Sequence, residues 1–126
     1  MSFSNYLENK VLGHVFGATP YTAPATLYVG LYTSDPGEGG GGTEVSGGSY
    51  ARQTITFTVT ANQASNTAAV EFPTASASWG TVTYAAVSDA VSGGNMLAYG
   101  ALSTSKTIAS GDVLRIPAGD FDINLD

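Results

Sequence analysis

RQTITFTVT, residues 52–60, sets Ile55, Phe57 and Val59 on one side of the chain and Thr54, Thr56, Thr58 and Thr60 on the other. Strict alternation is the period of a pleated strand, and Thr, Ile, Val and Phe suit a pleated, half-buried surface. A strand with one apolar face needs a second layer to cover it. Outward from this stretch, ATLYVGLYT (25–33) places Leu27, Val29 and Leu31 opposite Tyr28 and Tyr32. Shorter runs recur in AAVEF (68–72), TVTYAAVS (81–88), MLAYGAL (96–102), DVLRI (112–116) and FDINLD (121–126). In the last of these, Phe121, Ile123 and Leu125 alternate with Asp122, Asn124 and Asp126. TVTYAAVS is apolar on both faces and is expected to be covered on both.

Turn signals separate the runs: Phe72-Pro73, Ser92-Gly93-Gly94-Asn95, Ser110-Gly111-Asp112 and Pro117-Ala118-Gly119. The Gly-Gly-Asn turn predicts a hairpin between TVTYAAVS and MLAYGAL. About seven short strands with turns at these intervals predict a mainly β fold, a sandwich or jelly-roll. Ahead of them, Leu7, Val11, Leu12, Val15 and Phe16 recur at helical spacing over 5–16, with Glu8 three residues after Asn5 as in a capping box and Gly17 as a stop. ATPYTAPA, 18–25, has two prolines and reads as an extended connector.

The chain of 126 residues is expected to be one domain, 1–126, with the sandwich over 26–126. Its net charge is -6, and its only cations are Lys10, Arg52, Lys106 and Arg115, so no basic stripe exists to neutralise a phosphate backbone and no nucleic-acid partner is expected. There is no cysteine, which removes disulfides and thiolate chemistry. Nothing approaches a membrane span or a leader sequence, and the expectation is a soluble, unprocessed chain with no membrane partner. Only 11% of residues are charged, a surface suited to packing against neighbours because few ions must be desolvated.

Candidate chemical groups each have a plainer reading. GGGGTEV (39–45) has no Lys and leads into a strand, so the helix start and cation that make a phosphate loop are missing. His14, the single histidine, sits among packing residues of the helix with no nucleophile elbow elsewhere, and reads as structural. Asp120 and Asp122 fall on one face of a strand, as a calcium site or a glycosidase pair would require, but equally as a solvated strand face. Trp79, Tyr84 and Tyr99 suit a sugar platform less well than a core. With no catalytic, cofactor or metal constellation, the expectation is a non-enzymatic function carried by surfaces.

Two surfaces stand out. In DPGEGGGGTEVSGGSYAR (35–52), seven of the first fourteen residues are glycine. Residues 35–49 span at most about 50 Å when stretched and about 20 Å as a coil, and ordering them costs roughly 1–2 kcal/mol each with few side chains to recover it. The expectation is therefore a loop ordered by another molecule, with Asp35, Pro36, Gly37, Glu38, Glu44, Val45, Tyr50 and Arg52 as its partner-contact residues. The other surface is the helix, whose Leu7, Val11, Val15 and Phe16 form a candidate docking face.

The ordered set SDPG (34–37), GGSYAR (47–52), FP (72–73), SWGTVT (78–83), GGN (93–95) and SGD (110–112) resembles a group of small virion proteins of tailed bacteriophages. These are commonly labelled tail-fibre proteins, and similar β-sandwich proteins serve as capsid decoration, or cement, proteins. The resemblance runs over nearly the whole chain and transfers no catalytic residue. It implies a virion component made in the host cytoplasm and present in many copies. Acidity disfavours the DNA-filled interior, and the lack of coiled-coil heptads or shaft repeats favours the capsid exterior over the tail. The expected function is a decoration protein bridging major capsid subunits, with the major capsid protein and copies of itself as partners. The alternative is a tail-fibre or tail-tip component contacting tail proteins or the host surface.

Overall fold

The computed structural model describes residues 1–125 as β1 (Ser2–Phe3), α1 (Asn5–Phe16), β2 (Leu27–Tyr32), β3 (Gln53–Ile55), β4 (Phe57–Thr60), β5 (Gln63–Asn66), β6 (Val70–Glu71), β7 (Gly80–Ser88), β8 (Met96–Ile108), β9 (Arg115–Ile116) and β10 (Asp122–Asn124). Asp126, expected on the last strand, lies outside the described residues. Every strand pairing is antiparallel: a five-stranded sheet β1-β8-β7-β2-β3, a three-stranded sheet β10-β5-β4, and a ribbon β6-β9. The fold is mainly β and sandwich-like, as the alternating runs predict.

RQTITFTVT is divided in two. Ile55 pairs with Leu27 in the large sheet, whereas Phe57 pairs with Asn66 in the small one. Between them Thr56 gives its carbonyl to the Thr67 N–H at 2.9 Å, so one continuous strand pattern serves two layers. The face assignment holds, but burial fades along it: Ile55 is 4% exposed and Val59 is 72% exposed, because no described residue covers the far end of the small sheet. β5 has no hydrophobic signal, being the polar sequence QASN. It is held by the ladders of β4 and β10 and by Asn66, whose buried amide donates to the carbonyls of Ala68 and Pro117 and accepts from the Phe121 N–H. Together with the split strand and β1, it raises the strand count from about seven to ten among the described residues.

The core lies between the large sheet and the β6-β9 ribbon, with Val29, Leu31, Val70, Phe72, Trp79, Val82, Val87, Leu114 and Phe121 all buried. β7 is covered on both faces as expected, Val82, Ala85, Ala86 and Val87 being fully or almost fully buried. The β7–β8 hairpin forms where Gly-Gly-Asn predicts it, and the Asp89 carboxylate closes the turn on the Asn95 N–H at 2.7 Å.

α1 follows its predicted bounds, with one shift at the start. Its cap is Ser4 rather than the expected Asn5: the Ser4 hydroxyl accepts from the Leu7 N–H at 3.2 Å and donates to the Met96 carbonyl, tying the helix to β8. It ends at Gly17, whose N–H returns to the Gly13 carbonyl. No residue of α1 is fully buried, so the helix lies on the sandwich rather than in it. The connector 18–25 is neither helix nor strand. Among the described residues no helix is long and apolar enough to cross a membrane.

Candidate functional site

The glycine-rich loop carries its own fastening, which corrects the expectation that a neighbouring molecule orders it. Thr33 N–H bonds to the Thr43 carbonyl and Val45 N–H to the Leu31 carbonyl, each at 2.9 Å, so residues 43–45 run beside the end of β2 as an added strand would. Val45 is thereby carried into the core, at 5% exposure. The glycines make the loop long, but Pro36 and Val45 are buried and Glu44 and Tyr50 turn inward, and that offsets part of the ordering cost.

Glu44, Tyr50 and Arg52 form the polar centre of this fastening. Arg52 Nε donates to Glu44 Oε2 at 2.8 Å and its Nη2 to Oε1 at 2.9 Å, while Nη1 donates to the carbonyls of Ala90 and Gly93 at 2.8 and 3.0 Å. The Tyr50 hydroxyl donates to Glu44 Oε2 at 2.6 Å and accepts from the Leu31 N–H at 2.9 Å. Its ring stacks on Phe72 and meets Trp79 edge-on, with centroids at 6.1 and 5.4 Å. Three segments distant in sequence, the loop, β2 and the β7–β8 turn, are thus joined through one guanidinium and one phenol.

Gly30 makes this approach possible. A Cβ there would lie 2.8 Å from Glu44 Oε2 and 3.1 Å from the Tyr50 hydroxyl. At the other end of the loop, the Trp79 indole N–H donates to the Gly48 carbonyl at 2.8 Å. Gly48 has φ +57, and a Cβ on it would sit 2.9 Å from the indole nitrogen.

Burial raises the Glu44 carboxyl, but the hydrogen bonds from Arg52 and Tyr50 outweigh it and hold the group below its ordinary value. The same bond to Glu44 raises Arg52, and burial followed by the bond to Glu44 pushes the Tyr50 phenol far above its usual range. The cluster is therefore an anion, a cation and a neutral phenol whose hydrogen bonds are taken up inside the fold. Its chemistry is that of a latch.

Of the residues expected to meet a partner, Pro36 and Val45 are buried, and Glu44, Tyr50 and Arg52 are engaged internally. Asp35 and Glu38 stay exposed and Gly37 is half-buried. The Glu38 carbonyl accepts from the Asn5 N–H at 2.9 Å, so the loop also braces the start of α1. The readable signal for the latch was an Arg and a Tyr closely following a Glu in a chain with only four cations.

The helix presents the opposite character. Leu7 and Val11 are half-buried, while Leu12, Val15 and Phe16 are 57%, 60% and 82% exposed. Beside Leu7 an apolar groove of about 370 Å³ opens between α1 and the small sheet, lined by Phe3, Leu27, Phe57, Val59 and Leu125 among others, with no charged side chain among the described residues. Phe3 and Leu125 also line a neighbouring cavity of about 590 Å³ that reaches Val11 and Leu12. Apolar side chains thus extend from Val59 through Phe3 and Leu125 to Val11 and Leu12, with Glu8 and Glu38 also lining the second cavity, and sequence periodicity alone did not show this because the residues come from separate parts of the chain.

The remaining candidates are dispersed. His14 is exposed, and its Nδ1 accepts from the Tyr21 N–H at 3.1 Å, fastening the connector to the helix. Asp122 accepts a hydrogen bond from Ser65, while Asp120 sits in the exposed turn before β10. Among the described residues no three His, Cys, Asp or Glu side chains are placed to share a metal ion. Trp79 is a core residue, and Tyr84 and Tyr99 are half-buried on neighbouring strands of the large sheet.

The fold and its inward-turned latch define a charge-poor, sandwich-like β protein with an apolar face left exposed. More particularly, the family model described as Podophage GP4 fiber I protein gp80 matches residues 2–124, and the chain belongs to that family. It is a bacteriophage structural protein, in agreement with the resemblance carried by its motifs. No curated protein matches the chain.

Proposed function

We propose that this protein is a subunit of an external fibre of a podophage-type virion. The observation that carries this reading is the family match over residues 2–124, whose description names a fibre protein. The exposed apolar face and the charge-poor surface support it, since a virion subunit must bury part of its surface against other virion proteins or copies of itself. The match weighs the fibre alternative above the head decoration favoured by the sequence patterns.

Head decoration stands second, favoured by one observation: among the described residues the single helix has 12 residues and the rest are short strands and loops, with no shaft-like repeat. Separation of purified virions into heads and tails, followed by antibody detection, tests the assignment. The fibre reading expects the protein in the fraction that carries the fibres. Stoichiometric recovery with tail-less, fibre-less heads contradicts it and supports decoration.

A further inference from the structure

We propose that the large sheet carries, on the side away from the core and beneath the start of α1, a binding site for an uncharged oligosaccharide. This rests on the cavities there and not on the protein's place in the virion, so either reading can fail alone. A cavity of about 330 Å³ lies among the first residues of α1, residues 38–40 of the glycine-rich loop, Arg52 and the β7–β8 turn, an ordinary size for a small-ligand site. Ser88 lines it and is 3% exposed. Its hydroxyl makes no hydrogen bond to a described residue, yet among those residues no fully buried side-chain nitrogen or oxygen lacks a partner, so the hydroxyl opens on the cavity. A polar group held so deep, with nothing from its own chain to bond, finds its partner only in what enters the cavity.

The lining selects the ligand. Tyr28 stands opposite Ser88 in register, and both side chains leave the sheet on the side away from the core pair Val29 and Val87. Tyr28 and Tyr21 line a second cavity, of about 400 Å³, and Tyr6 lines both, so half-buried tyrosines run from one cavity into the next. Each ring offers a flat apolar body with a hydroxyl at its rim, which suits the C–H face and the hydroxyls of a sugar. An anion is disfavoured, because Arg52 is already paired with Glu44 while Glu38 and Asp89 line the cavities. A cation is disfavoured by the Arg52 guanidinium in the wall, and both Asp89 oxygens are engaged by Asn95. A sugar hydroxyl both donates and accepts, and so fits Ser88 beside the Asn5 and Asn95 side chains, which do the same. The adjoining cavities give room for linked sugar rings rather than one alone.

The experiment uses the full chain, isotopically labelled for NMR, with neutral trisaccharides of glucose, galactose, mannose and N-acetylglucosamine as probes. At least one is expected to shift the amide resonances of Tyr6, Ser88 and Asn95 saturably, while inorganic phosphate at the same concentration shifts none of them. Ser88→Ala, which removes only the hydroxyl, is expected to weaken that binding roughly tenfold. Tyr6→Leu is expected to weaken it by removing a ring shared by both cavities. Lys106→Ala, where β8 pairs with Val82 at the other end of the strand, is expected to leave it unchanged. Thermal melts of the variants separate lost binding from lost folding. No response to any of the four sugars, a response to phosphate instead, or binding indifferent to Ser88→Ala overturns the proposal. Recovery of the protein with heads rather than fibres bears on the fibre assignment alone.

Discussion

Arg52 grips Glu44 through two parallel hydrogen bonds, Nε to Oε2 at 2.8 Å and Nη2 to Oε1 at 2.9 Å, with the Arg52 side chain 7% and the Glu44 side chain 26% exposed. A fork-to-fork pair fixes direction as well as distance, and this one fixes where a glycine-rich loop returns to the sheet. Removing one partner strands the other in a partly desolvated site, which costs more than the intact pair contributes. Arg52→Met is expected to lower stability by about 2–3 kcal/mol, and adding Glu44→Gln to recover part of that loss. Urea denaturation of the two single variants and the double variant checks both; strictly additive losses contradict a coupled latch.

The latch also predicts an acid limb. Glu44 is held below its ordinary value by Arg52 and Tyr50 against the effect of burial, and Asp89 is held low mainly by the Asn95 N–H. A carboxyl whose folded-state value is depressed contributes stability that is present above the unfolded value, near 4, and is lost as pH falls through the folded value. Unfolding free energy is therefore expected to decline below about pH 4, more shallowly in Glu44→Gln. Thermal melts across the acid range check this, and identical slopes in both proteins count against it.

Gly30 is expected to tolerate no side chain. Gly30→Ala brings a methyl against Glu44 Oε2 and the Tyr50 hydroxyl, forcing the latch apart, at a cost of about 1–3 kcal/mol. A crystal structure of the variant is expected to show the loop displaced from β2; an unmoved loop with unchanged stability is the opposite result.

Tyr50→Phe keeps the stack on Phe72 but leaves the Leu31 N–H without its phenol acceptor. The expected loss is about 1–2 kcal/mol. Hydrogen exchange reads it locally: the Leu31 amide should exchange much faster in the variant, while amides of β7 change only by the global shift.

How much of this was legible follows from where each signal resides. The apolar-rich runs at 25–33, 81–88 and 96–102 predicted β2, β7 and the first half of β8 because buried and half-buried residues dominate there, whereas the exposed second half of β8, to Ile108, carries no such signal. β5 was not legible, since QASN is held by backbone ladders and by Asn66 rather than by apolar contacts. The loop was misread for a related reason. Its glycines dominate the composition, whereas its order comes from Val45 and from a Glu, Tyr and Arg whose partners, Leu31, Ala90 and Gly93, are set by the fold. The helix was legible as an element, but its apolar face acquires meaning only beside Val59 and Leu125, which the chain brings there from elsewhere.

Cryo-electron microscopy of the intact virion tests the central claim most directly. The account predicts density matching this sandwich in projecting fibres, with its α1 face covered. The same density spread across the capsid lattice, or none anywhere on the particle, contradicts it.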